Sequence, residues 1–222
     1  MENCVNFGLV KNKAINMVKR GSFVLSSGNT TDFWININDL TREPDVFDEL
    51  LNITKNLLGK LRKIHKTDLV IIMPKFNDAY HNDSFMDCIV TLANRKANDI
   101  VYINERKNDF QITDATRIEC LNRPCVLVLP VSSYEKALQK ISTEIFDKIQ
   151  CSNLYLYTFL FREIEKLEDI VNRGITVLPV LVSLGADEIY SIDEINNKIS
   201  PSSPLSMKQF EILNNSKNWF LD

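Results

Sequence analysis

The run Pro124-Cys-Val-Leu-Val-Leu-Pro-Val-Ser-Ser-Tyr-Glu-Lys-Ala137 reads as a buried strand feeding a helix, the junction where open α/β sheets place a phosphate loop. Chemistry at such a junction needs particular residue types. Backbone N–H groups that cradle an anion want glycine for close approach, and a metal ion or ribose hydroxyls want carboxylates at the strand end. Leu129, Pro130 and Tyr134 supply neither. Glu135, at the helix start, suits the macrodipole but repels a phosphate that would take the same place.

The other chemistry-bearing residues are dispersed. His65 and His81 are too few and too isolated for a metal site or a catalytic triad, so both read as core or solvated histidines. The five cysteines, at 4, 88, 120, 125 and 151, are odd in number and widely spaced. They form no C-x-x-C knuckle and argue against a disulfide framework, so they read as reduced thiols, mostly in the core. Cys120 and Cys125 flank a turn before a strand and have no evident base beside them, which favours packing over reactivity. Neither a metal nor a cofactor is expected.

A chain of 222 residues with 45% hydrophobic content can bury one sizeable core, so one domain spanning residues 1–222 is expected. Within it, 7–40 forms an N-terminal segment and 200–222 a C-terminal extension. Charges are mixed and the net charge is -3, which provides no field for nucleic acid or anionic lipid. Lys11, Lys13, Lys19 and Arg20 have no apolar signal core beside them, and no apolar run reaches bilayer length. An intracellular location follows as the expectation, with cytoplasm and nucleus not distinguished.

The elements that must position any site are legible from pattern. Leu69–Met73, Ile100–Ile103, Cys125–Val131, Leu154–Phe161 and Ile175–Val182 are short apolar runs without polar alternation, the signature of strands covered on both faces. Helical periods between them predict an α/β fold with a mainly parallel five-stranded sheet. Pro44 opens a helix whose buried face is Val46, Phe47, Leu50, Leu51, Ile53, Leu57, Leu58 and Leu61. Further helices are predicted over 134–150, over 163–173 with Gly174 as C-cap, and as two short pieces, Ile192–Ile199 and Leu205–Leu213, separated by a connector at 200–204. Ser22–Ser26 and Asp32–Ile37 read as a hairpin outside the main sheet, with Phe33 and Trp34 alternating across it.

The stretch Gly21-Ser-Phe-Val-Leu-Ser-Ser-Gly-Asn-Thr-Thr-Asp-Phe-Trp-Ile-Asn-Ile37 resembles the N-terminal hood of orotate phosphoribosyltransferase, whose motif runs G-x-F-x-L-K-S-G-x-x-S-P-x-Y-x-D-x-R. The order of the later pieces is similar too, over roughly residues 7–199, most closely to the type that forms the first half of eukaryotic UMP synthase. The resemblance implies the type I phosphoribosyltransferase fold with a small hood. The departures fall on the chemistry. The family's hood lysine and arginine fall at Ser26 and Asn38, while Ser27 and Gly28 match. Met73-Pro-Lys-Phe-Asn-Asp-Ala79, over the pyrophosphate loop, has no glycine, and Lys75 is its cation. The family's R-R-K-x-x-K-D-Y-G lies over Ile103–Gln111, where Asn108 takes the key lysine position and Arg106 and Lys107 stand a short shift away on a loop tip. The signature E/D-D-V-x-T-S/T-G lies over Leu129–Glu135; both acids are replaced, and Ser133 keeps one hydroxyl. The D-R-E-Q motif becomes Phe161-Arg-Glu-Ile164, so Arg162 matches an orotate-contacting arginine.

Removing one charged partner from a desolvated site typically costs about 2–5 kcal/mol, and this chain departs at several such positions together. Transfer through a cation-like sugar depends on positioning and electrostatics, so the expected protein is a catalytically inactive relative. It is expected to act as a dimerising or scaffolding subunit of an intracellular complex with a protein partner, without membrane or nucleic acid, and the homodimer is implied by the resemblance. A sensor that still binds a nucleotide or orotate-like ligand is the alternative, followed by an active orotate phosphoribosyltransferase. Arg162, Ser133 and Ser27 are the candidate vestigial binding residues. Trp219 and Phe220 are the candidate protein contacts, as terminal aromatics that either dock on the body or anchor a partner.

Overall fold

Apolar runs such as Leu154–Phe161 need cover on both sides, and the chain provides it by alternating strands with helices. The computed structural model describes residues 5–24, 30–75, 84–94, 99–106, 109–132, 143, 150–162, 164–195 and 205–221. Seven strands form the main sheet: β3 (Val70–Lys75), β4 (Ile100–Arg106), β5 (Asp109–Gln111), β6 (Pro124–Ser132), β7 (Asn153–Phe161), β8 (Ile175–Gly185) and β9 (Glu188–Ser191). Their spatial order is β5-β4-β3-β6-β7-β8-β9. The middle five are mutually parallel and coincide with the five predicted runs. The sheet is nevertheless larger than the expected five strands, because β5 and β9 fold back antiparallel on its two edges. Both are too short and too mixed in polarity to announce themselves; pairing with β4 and β8 makes them strands.

The hood is a separate antiparallel pair, β1 (Lys19–Val24) and β2 (Thr30–Trp34). Its strands start earlier than Ser22 and Asp32, and the register shifts between Arg20 and Phe23, where Gly21 sits at φ 156°. An extra residue in one strand changes the phase of alternation, which displaces limits read from pattern alone. Phe33 is buried, and Trp34 is half-buried with its ring 6.5 Å from that of Phe23.

Helix α3 (Pro44–His65) follows α1 (Phe7–Asn16) and the five-residue α2 (Ile37–Thr41). Pro44 stands in its first turn, and Val46, Leu50, Ile53, Leu57, Leu58 and Leu61 are buried, with Phe47 and Leu51 at the margin. Lys66, at φ 54°, ends it in the left-handed conformation and donates its N–H to the Arg62 carbonyl at 2.9 Å. Helices α4 (Ser84–Asn94) and α5 (Asp114–Cys120) precede β4 and β6. The predicted 163–173 helix is a 3-10 turn, Ile164–Lys166, followed by α6 (Leu167–Asn172), and Gly174 takes its capping position at φ 86°.

The last helix, α7 (Met207–Lys217), starts and ends later than Leu205–Leu213. Ser206 sets the start through a capping box: its hydroxyl accepts from the Gln209 N–H at 3.1 Å, and the Gln209 side chain accepts from the Ser206 N–H at 2.8 Å. Tertiary contact extends the other end, where the Ser216 hydroxyl donates to the Val177 carbonyl of β8 at 2.6 Å. Of the predicted Ile192–Ile199 helix, residues 192–195 form turns, and 196–199 lie outside the described residues, as does nearly all of the predicted 134–150 helix.

Strand β7 is buried at every position after Asn153. Its Tyr157 hydroxyl meets the Thr54 hydroxyl of α3 at 2.8 Å, and Thr54 also lies 2.7 Å from the Leu50 carbonyl. Burial pushes the Tyr157 phenol up to about 12, against a smaller opposing effect of the Thr54 hydrogen bond. The unfolded phenol loses its proton near pH 10, so stability is full below that value and falls as pH rises toward 12, by about 1.4 kcal/mol per unit. Urea unfolding at pH 9, 10 and 11 is expected to show this decline in the native chain and its reduction in Tyr157→Phe; equal slopes would remove Tyr157 as its source.

Candidate functional site

Parallel strands bring their carboxyl ends to one edge of the sheet, and ligands of open α/β sheets bind there, where the strand order reverses. Here the reversal lies between β3 and β6. The two strands pair at Val70–Cys125, Ile71–Val126 and Ile72–Leu127, and the residues beyond, Met73–Lys75 and Val128–Ser132, face the reversal point.

What those ends carry is mainly apolar. Met73, Val128 and Leu129 are buried, and Pro130 and Val131 are partly so. Lys75 is the cation of β3, and it forms an ion pair with Asp87 of α4 while its ammonium lies 4.7 Å from the centre of the Tyr102 ring. An opposite charge and an aromatic face both hold the ammonium toward β4 and α4. Neither Asp87 nor Tyr102 carried a sequence signal for this role.

Arg162 follows β7 directly, and its guanidinium turns to the hood. It sits 4.2 Å from the centre of the Phe33 ring, donates to the Phe33 carbonyl at 3.3 Å and donates to the Thr31 hydroxyl. Arg162 thereby ties the hood to the end of the central sheet. A second link, the exposed pair of Arg20 with Asp187 in the β8–β9 turn, adds little because water screens it. Ser133 and Ser27, predicted beside Arg162, lie outside the described residues. The same holds for Ser26, Gly28, Lys107, Asn108, Tyr134, Glu135 and His81.

Of the stretch Ile103–Gln111, residues 103–106 end β4 and 109–111 form β5 on the sheet edge, and Lys107 and Asn108 between them lie outside the described residues. Asn104, Glu105 and Arg106 of β4 are opposite Gln111, Phe110 and Asp109 of β5, and Phe110 is buried. Among the described residues no group of three or more histidine, cysteine, aspartate or glutamate side chains is arranged to hold a metal ion.

The sequence matches no protein-family model and no curated protein. Among solved structures, the orotate phosphoribosyltransferase of Aeropyrum pernix is similar with a TM-score of 0.52 at 18% identity, over 80% of this chain and 94% of that one. An adenine phosphoribosyltransferase is similar with a TM-score of 0.53 at 11% identity, over 76% of this chain and 98% of that one. The chain has the type I phosphoribosyltransferase fold.

Within this phosphoribosyltransferase fold, the three stretches matched by motif order share one edge. Met73–Ala79 begins at the end of β3, Ile103–Gln111 spans the β4–β5 pair, and Leu129–Glu135 begins at the end of β6. The structure supplies partners for two cations near this edge, Lys75 and Arg162. At the far end of the chain Trp219 packs edge-on to Tyr155, with ring centres 5.4 Å apart, and Phe220 packs edge-on to Phe7 at 5.8 Å. Phe220 is only 7% exposed, so in this chain that ring docks on the body, and Trp219 keeps a partly exposed edge. Lys60 holds the turn beneath them by donating to the carbonyls of Asn218 and Leu221 at 2.7 and 2.6 Å. His65 belongs to the same cluster, with its Nε2 2.7 Å from the Tyr155 hydroxyl. No helix among the described residues is long and apolar enough to cross a membrane.

Proposed function

We propose that this chain is a phosphoribosyltransferase-fold protein without transferase activity, which serves as a dimerising or scaffolding subunit of an intracellular protein complex. The observation that carries this reading is the end of β6. At the topological switch, where the resembling family places paired acids for the ribose hydroxyls, this chain has Leu129 and Pro130, with Leu129 buried among apolar neighbours. A leucine and a proline side chain accept no hydrogen bond from a sugar.

Two further arrangements support the same reading. Arg162, which matches an orotate-contacting arginine, is engaged by Thr31 and Phe33. Of the stretch that matches the mobile catalytic loop, residues 109–111 are tied to the sheet edge as β5, with Phe110 buried. Residues held in a ladder cannot move over a substrate without losing those pairings.

The test is an orotate-consumption assay with phosphoribosyl diphosphate and magnesium, run with thermal-shift measurements on orotate, UMP and phosphoribosyl diphosphate. The expected result is no turnover above the uncatalysed rate and no saturable rise in melting temperature. Turnover that disappears in Arg162→Ala would restore the transferase reading, and a saturable shift without turnover would make the protein a ligand sensor. For the scaffolding role, light scattering on the purified chain is expected to give twice the monomer mass. Affinity capture from the native source is expected to bring down a protein partner that a surface-patch variant loses.

A further inference from the structure

The outward side of α3 divides its charge by length. Asp45 and Asp48 are exposed near its start, and Lys63 and Lys66 are exposed at its end. Between them lie exposed Asn56 and Gly59 and half-buried Asn52. Steps of three and four residues put all of these on one stripe of the helix. None of the four charged side chains has an ion-pair partner among the described residues.

We propose that this stripe of α3 is a self-complementary surface that takes the same stripe of a second copy of the chain, antiparallel, about a two-fold axis between residues 55 and 56.

The register follows from the positions. Turned end for end about that point, Asp45 meets Lys66 of the second copy, Asp48 meets Lys63, and Asn52 meets Gly59. A two-fold axis makes each contact twice, so four acid–lysine pairs form, two at each end of the helix pair. Each end then neutralises charge that the single chain leaves unpaired.

A solvated helix face explains the pattern less well. The macrodipole favours acids at the start and bases at the end, but it sets neither their register nor what lies between them. Such a face gains from opposite charges four residues apart, yet Asp45 is followed at that distance by Glu49, Asp48 by Asn52, and Lys63 is preceded by Gly59. Glycine is a poor residue for the inside of a helix. A Cβ added at Gly59 would meet nothing within 4 Å, so no neighbour in the chain requires its size. A second helix backbone arriving opposite it does, because a bare backbone lets two helices approach closely.

The pairing rests on the dimerising reading proposed above and names its surface. Exposed ion pairs are individually weak and are screened by salt, so the dimer is expected to weaken roughly tenfold between low and high salt.

The experiment uses the purified full-length chain, first with a zero-length carbodiimide that joins a carboxylate to an amine in direct contact. A helix rises about 1.5 Å per residue, so Asp48 and Lys63 of one chain are roughly 22 Å apart, and Asp45 and Lys66 roughly 32 Å. Joined peptides containing Asp48 with Lys63, or Asp45 with Lys66, therefore come from two copies. They are expected in the cross-linked dimer and are expected to be lost at high salt. Light scattering then compares two variants, Lys63→Asp with Lys66→Asp and Asp45→Lys with Asp48→Lys. Each is expected to be monomeric alone, and an equal mixture is expected to dimerise, since the two variants restore opposite charges at all four contacts. A native dimer that lacks both joined peptides and persists in both variants overturns this surface and leaves the dimerising reading standing. A mixture that stays monomeric while both variants keep the native circular dichroism also overturns it. A native chain that is monomeric at every concentration tested overturns the surface and the dimerising reading together.

Discussion

Phe159→Ala is expected to lower the stability of the fold by about 3–5 kcal/mol, the range for removing a large aromatic ring from a rigid core. Phe159 is fully buried, seventh of the nine residues of β7, a strand buried on both faces and flanked by β6 and β8. The neighbouring strands are held in register by Leu129–Thr158, Val131–Leu160 and Leu181–Leu160, so they cannot collapse far into the space left behind. Against a total of about 5–15 kcal/mol, that loss is a large share. For a chain of this size it corresponds to a fall of roughly 6–20 °C in melting temperature. Ile118→Ser is the control: Ile118 is 73% exposed, and the change is expected to stay within about 0.5 kcal/mol. Urea unfolding reads both, and a loss below about 1 kcal/mol for Phe159→Ala would mean that the strand's faces are not packed as described.

Arg162→Met is expected to release the hood while leaving the main sheet folded. The variant keeps an apolar stem near Phe33 and removes the planar charge. It therefore deletes the hydrogen bonds to the Thr31 hydroxyl and the Phe33 carbonyl together with the cation–π contact. Charged hydrogen bonds contribute about 1.5–3 kcal/mol, and an exposed cation–π contact about 0.5–1 kcal/mol. Because the site is partly open to water, a total of about 2–3 kcal/mol is the reasonable sum. Opening of the β1–β2 pair should then become roughly 30- to 150-fold more frequent, which hydrogen exchange at residues 19–24 and 30–34 reads directly. Unchanged exchange there would rule out the strut, and loss of an orotate-induced thermal shift in the same variant would instead assign Arg162 to a ligand.

These two predictions use different kinds of information. The buried strand around Phe159 was visible as an uninterrupted apolar run. The partners of Arg162 were not, because Thr31 and Phe33 are about 130 residues away and nothing local marks them. The same division holds through the fold. Helix α3 was legible because its apolar positions repeat over 22 residues behind a first-turn proline. Helix α1 was not, since lysines and asparagines interrupt its short stripe of Phe7, Val10 and Ala14, and contact with α3 and β9 completes its burial. Edge strands β5 and β9 escaped for a related reason: three or four residues of mixed polarity have no period to read.

For the site, residue types alone determined what the strand end near Leu129 and Pro130 lacks, because a missing carboxylate is a matter of composition at one position. They also determined the parallel order of the core, since runs apolar on every residue require cover on both faces. Tertiary structure alone decided how the remaining polar groups are used: Lys75 goes to Asp87 and Tyr102, and Arg162 goes to the hood. Burial and strand pattern are encoded locally, within a few residues, whereas each of these side-chain pairings depends on where distant segments are placed by the packed sheet.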